Sequence, residues 1–478
     1  MIFEDPKQYV ESGFTPEIII IGSGPAGMTV ARQLAKAGIP CALLDAGEEY
    51  FSDTSQEVYK GEVIGDHYYR LDEARLRQLG GTSGHWTGWC RLLDAHDFQK
   101  RDWIPNSGWP IGRDAIEPYI AATRETLGLP DFRDDQPVTE AMNWIDLIRS
   151  DPVRFGEKYR DELAESDKIA VVLNTYATDL EAQGAQVTAA NVVSPEGSAY
   201  QLQASHFVVA TGGIENSRLL LWSNEKSADP VVPDATALGR YWMEHPEFVC
   251  GEAIIGQPAT YTPDEDGWAY FAPSLKAMET AGIANFHALI FPNLYGGTKK
   301  LVADLACTAP SAAHWFANLM GHNLICGAHL SMAMEQVPLY ENHVALSSSQ
   351  RDFSGVPRVE LHWRKGEIEG KTLVEGLKLM GATLIEKEIG RVRMDSWVSN
   401  GPDYPTEGEI AGYHHMGGTR MSDNPRLGVV DANCRVHGMQ NLFIAGSSIF
   451  TTGGHANPTT TIVAFSHRLG DHLASIVT

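Results

Sequence analysis

Short apolar runs alternate along this chain with stretches in which apolar residues recur at helical spacing, a pattern typical of α/β proteins. The clearest unit reads EIIIIGSGPAGMTVARQLAKAGIPCALLDAG and covers residues 17–47. It begins with an apolar run, continues through a glycine turn and a helical stretch, and closes with a second apolar run that ends in an acid. The unit therefore predicts a strand, a turn, a helix and a second strand.

The glycine turn of this unit has the spacing G-x-G-x-x-G, formed by Gly22, Gly24 and Gly27. Without side chains, these positions let the backbone bend tightly, approach a pyrophosphate and pack the helix on the sheet. The free N–H groups and the dipole at the start of the helix favour an anion. Asp45 follows Gly22 by 23 positions, close to the roughly 20 at which an acid binds an adenosine ribose. The unit predicts a dinucleotide site; the alternative is a tight turn in another α/β domain.

Later apolar runs predict that the chain returns to this domain at its end. Strands are predicted at 168–173, 186–193, 206–211 and 441–447, and a helix with proline at its first position is predicted at 458–473. Between them, alternating residues at 340–347 and 359–363 predict strands of an antiparallel sheet, and leucines at helical spacing predict a helix at 367–387. A shorter helix is predicted to begin at Asp114 as its N-cap and to run through Leu127.

The predicted fold is α/β with an added β domain. A Rossmann-like parallel sheet, completed by the C-terminus, binds the nucleotide, and a second domain is built on an antiparallel sheet. The predicted boundaries are 1–235 and 405–478 for the two parts of the nucleotide domain and 236–404 for the second domain.

Charge and cysteine usage exclude several classes of protein. The 478 residues include 37 basic and 61 acidic ones, and the resulting charge of −24 repels nucleic acid and anionic lipid. The cysteines show no C-x-x-C spacing, so neither a zinc site nor a disulfide framework is predicted, and the thiols are expected to be reduced and mostly buried. They are at positions 41, 90, 250, 307, 326 and 434.

The start and the apolar windows of the chain give no sign of a signal peptide or a membrane span. The start, MIFEDPKQYVESG, is acidic where a signal peptide would be basic and then apolar. No window approaches the roughly 18 apolar residues of a membrane span. A cytoplasmic location is therefore expected.

Two glycine-rich stretches near the C-terminus carry candidate catalytic side chains. They read YHHMGGTRM at 413–421 and GGHANPTTT at 453–461, and they contain His414, His415, His455 and Asn457. Ligands bind outside the carboxyl ends of strands in open α/β sheets, so these side chains are expected to face the cofactor. Histidine is the usual general base near neutral pH. Asn457 can hydrogen-bond a substrate oxygen, and the helix N-terminus at Pro458 can stabilise negative charge.

Four blocks of the chain, in this order, resemble the glucose-methanol-choline (GMC) oxidoreductase family, FAD enzymes that oxidise alcohols. They are IIIIGSGPAG with LLDAG, LGGTSGHWTG, VVATGGIENSRLLL, and YHHMGGTRM through VVDANCRVHGMQNLFIAGSSIFTTGGHANPTTT. The resemblance covers residues 18–473 and is most specific in the last block. Within the family, the chain is most similar to the pyranose oxidases and the fructose and gluconate dehydrogenases, whose catalytic pair is His and Asn. The resemblance implies FAD, and not NAD, as the dinucleotide.

The resemblance implies roles for the matched residues. Its H-x-M-G pattern places the general base at His414, while a shift by one position would place it at His415; the second member of the pair is Asn457. The implied reaction is hydride transfer from an alcohol carbon to flavin N5, with the histidine accepting the hydroxyl proton. The residues implied to bind FAD are Gly22, Gly24, Gly27, Asp45, His85, Thr87, Gly446, Pro458 and Thr459.

One implied feature is a covalent flavin. The segment SGHWT resembles STHWT of the pyranose oxidases, in which the histidine is joined to the flavin. His85 is therefore a candidate attachment point and Thr87 a candidate contact at the flavin edge. Gly84 and the Gly-Trp pair that follows Thr87 depart from that pattern, and the alternative is a histidine packed beneath a non-covalently bound flavin. Asp45 stands where many relatives have the longer Glu.

The predicted function is FAD-dependent oxidation of a secondary alcohol of a sugar, a glycoside or a similar polyol. The alternatives are oxidation of a simple primary or aromatic alcohol, and a lyase that binds flavin without redox chemistry, because one fold hosts several activities. The electron acceptor is oxygen or an external quinone or redox protein; the sequence leaves that choice and the oligomeric state open. No metal site is predicted, because His322, His329 and His343 lack ligand-like spacing with a carboxylate.

Other conspicuous residues have a structural interpretation. His245, in RYWMEHP, matches a family turn between domains and is predicted to be structural. His455 is predicted to be a loop residue near the pocket. Four tryptophans could stack on a sugar face, but core or interdomain packing is the prediction for most of them; they are Trp86, Trp89, Trp103 and Trp109.

Overall fold

A parallel sheet forms the first layer of the protein in the computed structural model, which describes residues 1–255, 268–292, 327–401 and 403–477. Within those residues the sheet has six strands, in the spatial order Ile2–Phe3, Ile169–Val172, Cys41–Leu44, Ile18–Ile21, His206–Val209 and Leu442–Ile444. The four strands at its centre, from Ile169–Val172 to His206–Val209, are almost wholly apolar and buried, as expected for strands covered on both faces. The last strand comes from the C-terminal part of the chain, which confirms the prediction that the C-terminus completes the sheet.

Three long helices pack around this sheet: Pro25–Lys36, Glu215–Lys226 and Pro458–Val477. The first and third are in direct contact, since Gln33 hydrogen-bonds Asp471 and approaches His467. The predicted N-terminal proline of the last helix is confirmed, and the helix runs to Val477, four residues beyond the predicted end at 473. The helices Pro25–Lys36 and Pro458–Val477 both begin at the same edge of the sheet.

An antiparallel sheet forms the second layer and confirms the predicted fold class. Its seven strands within the described residues are, in spatial order, Gly390–Met394, Glu247–Ile255, Ala328–Met334, Phe286–Pro292, Ala269–Pro273, Met142–Ile145 and Gln136–Pro137. The helix Glu367–Glu386 covers it through Leu373, Leu377 and Leu384, and a separate hydrophobic core fills the space between them. The last two strands precede residue 236 in the sequence, so the chain visits this sheet earlier than predicted; the boundaries at 235/236 and 404/405 stay predictions.

Smaller elements surround these two sheets. Short sheets are formed by Tyr176–Gln183, Gln186–Val193 and Ala199–Leu202, by His343–Arg351, Pro357–Trp363 and Gly61–Gly65, and by Trp89–Cys90 with Ile148–Arg149. The remaining α-helices in the part of the chain that the structure describes are Pro6–Ser12, Asp53–Gln56, Ile120–Leu127, Phe155–Lys158, Arg160–Glu165, Leu275–Ala281 and Ser396–Ser399. The predicted N-cap at Asp114 is wrong: Asp114 lies inside the 3₁₀ turn Arg113–Ala115, and the α-helix begins only at Ile120. The second turn, Glu117–Tyr119, carries Pro118, which starts a helical turn easily but cannot continue one.

Two further expectations concern cysteines and membrane spans. Cys41, Cys90, Cys250 and Cys434 are buried free thiols, whereas Cys307, Cys326 and His322 lie outside the described residues. Among the helices that the structure describes, none combines the length and the apolar character that crossing a bilayer requires.

Candidate active site

A cavity of about 510 Å³ opens at the carboxyl ends of the parallel strands. Its lining includes the residues that follow four of those strands: Gly22, Asp45, Thr211 and Gly446. The glycine turn and the C-terminal loops, which are more than 380 residues apart in sequence, therefore border one space, as the sequence predicts for an open α/β sheet.

The glycine turn forms a cradle with room for a ligand. Gly22 has a φ of +106°, and a Cβ there would collide with the backbone of Ala210, while a Cβ on Gly27 would collide with the carbonyl of Gly22. Gly24 is different, because a Cβ on it would meet no protein atom within 4 Å. Gly24 is also the N-cap of the helix Pro25–Lys36 and supplies no side-chain cap, so the first N–H groups of that helix are available to an anion. This arrangement fits a pyrophosphate.

Asp45 is buried at the edge of the cavity and holds the glycine turn in place. Its Oδ2 accepts hydrogen bonds from the hydroxyl and the N–H of Ser23, and its Oδ1 accepts one from the N–H of Gly47 at 2.8 Å. Burial raises the pKa of the Asp45 carboxyl, although these donors and the Arg77 guanidinium oppose the rise. A carboxylate offers about four lone-pair positions, so capacity remains for a ribose hydroxyl.

Arg77 is a cavity residue that sequence reasoning missed. It is 5% exposed, and its Nη1 donates to the backbone and hydroxyl oxygens of Ser55. Within the described part of the chain, its Nη2 is buried without a hydrogen-bond partner. A buried guanidinium nitrogen without an acceptor is costly, so this donor is available to a ligand oxygen at the Asp45 end of the cavity.

The candidate catalytic pair lies at the other end of the cavity. Nε2 of His414 is 3.1 Å from Nδ2 of Asn457, and both residues are half-buried and line the space. His414 follows Tyr413, whose φ of +57° is unusual for a bulky residue and turns the chain sharply before the imidazole. The Tyr413 ring stacks on Tyr69 with centroids 4.1 Å apart. Asn457 directly precedes Pro458, so the pair and the N-terminus of the last helix converge.

His245 is the second neighbour of His414. The two Nδ1 atoms are 2.9 Å apart, and Nε2 of His245 is 3.3 Å from the carbonyl oxygen of Gly453. His245 is 1% exposed and does not line the cavity. The sequence predicts a structural role for His245, and the structure shows that it also contacts the candidate base.

Burial keeps these imidazoles uncharged. It lowers the pKa of His414 well below the ordinary value of 6.5, with the neighbouring His245 and His415 as further causes. It also lowers the pKa of His245 to about 4 and that of His415 to about 3. At neutral pH His414 is therefore unprotonated on one nitrogen and able to accept a proton.

His415 has a different environment from His414. Its Nε2 is 2.9 Å from the hydroxyl of Tyr68, and that hydroxyl is hydrogen-bonded to Oε2 of Glu244. Oε1 of Glu244 accepts the backbone N–H groups of His245 at 2.8 Å and of His414 at 2.6 Å. Burial raises the pKa of Glu244 to about 7, although these donors oppose the rise. One buried carboxyl thus anchors all three histidines.

We expect Glu244→Ala to destabilise the protein while Glu244→Gln does not. Alanine leaves two buried backbone N–H groups and the Tyr68 hydroxyl without their acceptor, at a cost of about 1–3 kcal/mol for each group left unpaired. Glutamine keeps an oxygen for the two N–H groups, and its Nε2 can donate to the Tyr68 hydroxyl, which then donates to Nε2 of His415 in the other neutral tautomer. Urea unfolding of both variants measures the effect; equal stability of Glu244→Ala and the unchanged protein would show that the carboxyl anchors nothing.

The candidate flavin-attachment residue also faces the cavity. His85 follows the 3₁₀ turn Gly81–Gly84, and both His85 and Thr87 line the space with exposed side chains. Arg154 fixes this segment by donating to the carbonyls of Ser83 and Trp86, each at 2.8 Å. Partial desolvation by the protein around the cavity and then the Arg154 charge lower the pKa of His85 below its ordinary value of 6.5, so the imidazole is mainly neutral at pH 7.

The C-terminal loop supplies the remaining predicted cofactor residues. Gly446, Pro458 and Thr459 all line the cavity. Gly446 has a φ of +104°, which an L-residue avoids, and it turns the chain directly after the last parallel strand. The helix Pro458–Val477 begins at the cavity, so its positive end lies beside the candidate catalytic pair.

Of the four tryptophans and His455, some line the cavity and others lie in the protein interior. Trp86 and Trp89 line the cavity, whereas Trp103 hydrogen-bonds the Ile283 carbonyl and Trp109 stacks on Phe465 in the core. His455 is fully buried, points to Asp94 with Nε2 at 3.1 Å from its Oδ2, and does not line the cavity.

One group of side chains among the described residues has the geometry of a metal site: Asp94, His96 and Asp97. Nδ2 of Asn285 lies 3.3 Å, 3.1 Å and 2.9 Å from their respective ligand atoms. An amide donor therefore already occupies the position that a cation would take, and the group is explained as a buried hydrogen-bond network.

Two family models match the chain over the residues that build this cavity. Residues 17–282, more than half of the chain, match the FAD dependent oxidoreductase model, and residues 338–466 match the GMC oxidoreductase model. The first match contains the glycine turn and the second contains His414 and Asn457. The chain belongs to the GMC oxidoreductase family.

Several full-length relatives of this GMC oxidoreductase are distant in sequence. It is 22% identical to 2-methyl-1,2-propanediol dehydrogenase of Mycolicibacterium austroafricanum over 96% of this chain and 95% of that protein. It is 22% identical to the fructose dehydrogenase large subunit of Gluconobacter japonicus (95% and 97%) and 24% identical to C-glycoside 3-oxidase of Microbacterium trichothecenolyticum (97% and 97%). The fold is similar to that of pyridoxine 4-oxidase from Mesorbium loti, with a TM-score of 0.60 at 16% identity over 96% and 99% of the chains.

These findings make this GMC oxidoreductase an FAD-dependent alcohol oxidase or dehydrogenase. The cavity fits that cofactor, because the open cradle at Gly24 suits the pyrophosphate, Asp45 lies within reach of a ribose, and the helix start at Pro458 suits the flavin end. When bound, FAD supplies the acceptor for the hydride that the alcohol loses.

We expect the rate of flavin reduction in this GMC oxidoreductase to stay constant from mildly alkaline pH down to 6.5 and to fall only below it. The candidate base, His414, must be neutral to accept a proton, and burial holds its pKa well below 6.5. Stopped-flow reduction across a pH series measures this. Glu244, with a pKa of about 7, is the group that could add a separate inflection. An inflection at or above 6.5 that survives Glu244→Gln would contradict the prediction.

Proposed function

We propose that this enzyme oxidises a secondary alcohol of a sugar, a glycoside or a similar polyol, with His414 as general base and Asn457 as the group that orients the oxygen. The observation that carries the proposal is the 3.1 Å approach of His414 Nε2 to Asn457 Nδ2 at one end of the cavity whose other end holds the glycine cradle. A proton acceptor and a hydrogen-bond donor thus meet where one hydroxyl group could contact both.

The reaction follows from these two contacts. The Asn457 amide donates a hydrogen bond to the alcohol oxygen and fixes its position. Nε2 of His414 takes the hydroxyl proton as the O–H bond breaks, while the hydrogen on the carbon leaves as hydride, so the alcohol becomes a carbonyl compound. Because base and orienting group act on one oxygen, positioning and proton transfer both lower the barrier.

His414 is favoured over His415 as the base by what their Nε2 atoms contact. The Tyr68 hydroxyl donates to Glu244, so it accepts from Nε2 of His415, which must then carry a proton. Nε2 of His414 instead faces the Asn457 amide in the cavity. An amide nitrogen donates only, so this Nε2 is the acceptor.

A sugar-like substrate is supported by the tryptophans and by the relatives. Trp86 and Trp89 line the same cavity as the catalytic pair, and aromatic faces pack well against the C–H faces of sugar rings. Two of the relatives are named for fructose and for C-glycosides. The relatives named for 2-methyl-1,2-propanediol and pyridoxine support the alternative of a simpler or aromatic alcohol.

A substrate screen separates these classes. Turnover of the FAD-loaded protein is measured with an artificial electron acceptor and with oxygen, against hexoses, glycosides and polyols on one side and aliphatic and benzylic alcohols on the other. The proposal expects the highest kcat/KM for a sugar-like secondary alcohol, with a ketone as product. A preference for simple primary or benzylic alcohols would contradict it, and the ratio of the two acceptors would distinguish an oxidase from a dehydrogenase.

We expect part of the flavin to stay with the protein after acid precipitation if His85 is the attachment residue. Its neutral imidazole faces the cavity beside Thr87, as attachment requires. His85→Ala should then release all flavin into the supernatant and still bind FAD. A colourless pellet from the unchanged protein would show that the flavin is held without a covalent bond.

A further inference from the structure

A row of hydrogen bonds connects a backbone carbonyl to the candidate base and ends in the cavity. It runs from the Gly453 carbonyl to Nε2 of His245 at 3.3 Å, and from Nδ1 of His245 to Nδ1 of His414 at 2.9 Å. It continues from Nε2 of His414 to the Asn457 amide at 3.1 Å. Both imidazoles therefore have a partner at each nitrogen.

The partners at the two ends determine where the protons are. A carbonyl oxygen only accepts, so Nε2 of His245 carries a proton, and in the neutral ring its Nδ1 is then an acceptor. Nδ1 of His414 must donate to it, which leaves Nε2 of His414 without a proton. The other end gives the same assignment in the substrate-free site, because the Asn457 amide nitrogen donates to Nε2 of His414. When that amide donates to the alcohol oxygen instead, the contact with His245 is the one that still fixes the tautomer.

We propose that His245 is a positioning residue that holds His414 in the tautomer protonated on Nδ1, so that Nε2 faces the substrate as a proton acceptor. This inference rests on the proposed role of His414 as the general base. His245 itself contacts neither the cavity nor the substrate, and it acts only through the ring of His414.

Backbone contacts on both sides keep the two rings in register. The N–H of Gly412 donates to the carbonyl of His245 at 3.0 Å, and Met243 and Met416 exchange N–H···O bonds of 2.8 Å and 3.0 Å. Oε1 of Glu244 accepts the N–H groups of both histidines. The segment around His245 is therefore fastened to the segment around His414 before and after each ring.

Two glycines make room for this arrangement. A Cβ on Gly412 would approach Nδ1 of His414 to 2.6 Å, which is closer than real Cβ contacts come. A Cβ on Gly453 would approach Cε of Met416 to 2.8 Å and Nε2 of His245 to 3.3 Å. A side chain at Gly412 would push the His414 ring away from its partner, and one at Gly453 would displace the Met416 methyl group and crowd the His245 ring.

The arrangement has a consequence for the protonated base. When Nε2 of His414 has taken the hydroxyl proton, the ring is an imidazolium whose Nδ1–H still donates to His245. The acceptor there is a neutral ring, because burial lowers the pKa of His245 to about 4. The orienting partner thus fixes the tautomer without adding a negative charge that would hold the proton on His414.

Nitrogen-15 NMR of the FAD-loaded protein with labelled histidine tests the tautomer directly. The resonances of His414 are identified by their loss in His414→Gln. We expect a protonated Nδ1 and an unprotonated Nε2 for His414, and the reverse for His245. A His414 protonated on Nε2 in the unchanged protein would overturn the proposal, whatever the behaviour of any variant.

Two variants of His245 then test the positioning role. His245→Leu removes the acceptor, and we expect flavin reduction to slow by about 10- to 100-fold, the range that partners orienting histidines carry at metal sites. The dissociation constant of the alcohol, from the same stopped-flow series, should not change. His245→Asn can offer an amide oxygen near the position of Nδ1 and should recover most of the rate. His467→Leu removes a buried imidazole that contacts Thr126 and Gln33, remote from the base, and should leave reduction unchanged.

The outcomes separate this inference from the proposed function. Slow reduction in His245→Leu together with recovery in His245→Asn supports it. Unchanged reduction in His245→Leu, or equal slowing in both variants, would overturn it. If His414→Gln itself reduces flavin at the normal rate, the proposed function fails instead.

Discussion

His414→Ala is expected to slow flavin reduction by about 10²- to 10⁴-fold, the usual contribution of a general base. The variant loses Nε2 of His414, which lies 3.1 Å from Nδ2 of Asn457. FAD should remain bound, because the glycine cradle and Asp45 lie at the other end of the cavity. Stopped-flow reduction under excess alcohol, with the flavin content measured beforehand, gives the rate.

The matched control for this change is His472→Ala. His472 lies on the C-terminal helix outside the cavity, so its loss should not alter reduction. Unchanged reduction in His414→Ala would remove His414 from its role. Equal slowing in His415→Ala and His414→Ala, with both proteins folded, would show that the two rings act as one unit through Glu244.

Gly24→Ala is expected to weaken FAD binding by about 10²- to 10⁴-fold while the protein still folds. A Cβ on Gly24 meets no protein atom within 4 Å, and its φ of −61° suits any L-residue, so the fold is not strained. The new methyl group would instead occupy the space of the pyrophosphate. Losing two hydrogen bonds to a charged group, at about 1.5–3 kcal/mol each, gives that factor.

Fluorescence titration of the apoprotein with FAD measures this affinity, and thermal unfolding of the apoprotein measures the fold. Gly381→Ala is the control, because Gly381 lies in the helix Glu367–Glu386 of the second layer and its added Cβ would make only an ordinary 3.8 Å contact with Val392. Tight FAD binding by Gly24→Ala would contradict the placement of the pyrophosphate at this turn.

Local pattern predicted the elements that border the cavity. The strands Ile18–Ile21 and Cys41–Leu44 are continuous apolar runs, and the last helix has proline at its first position. Each of these elements can therefore be predicted from a few neighbouring residues. The glycine spacing and the C-terminal motifs are likewise short, so the residues that indicate their function are close together in the sequence. Their convergence was predictable because parallel strands present their carboxyl ends at one edge.

Contacts between residues that are distant in the sequence could not be predicted in this way. The short strands at Gln136–Pro137 and Met142–Ile145 join a sheet whose other strands begin at Glu247, and no local periodicity encodes that partner. The same holds for the contact of Tyr68 with Glu244, which spans 176 residues. One signal was available: Glu244 is an acid between apolar residues and a His-Pro pair, and a buried acid needs partners.

Helix starts were a second source of error. Asp114 is a favourable N-cap by residue type, yet Pro118 and two 3₁₀ turns delay the α-helix to Ile120. The contact of His245 with the candidate base was not predicted, because the sequence context of His245 indicates only a turn. The 2.9 Å approach of the two Nδ1 atoms is visible only in three dimensions.

The central claim is that one cavity holds FAD and presents His414 with Asn457 to an alcohol. The most direct test is anaerobic mixing of the FAD-loaded protein with a panel of sugars and polyols while the flavin absorbance is followed. We expect at least one of them to bleach the oxidised flavin fully and to yield one equivalent of the ketone, with the bleaching slowed in His414→Ala. An unbleached spectrum with every alcohol tested, in a protein shown to contain FAD, would contradict the account.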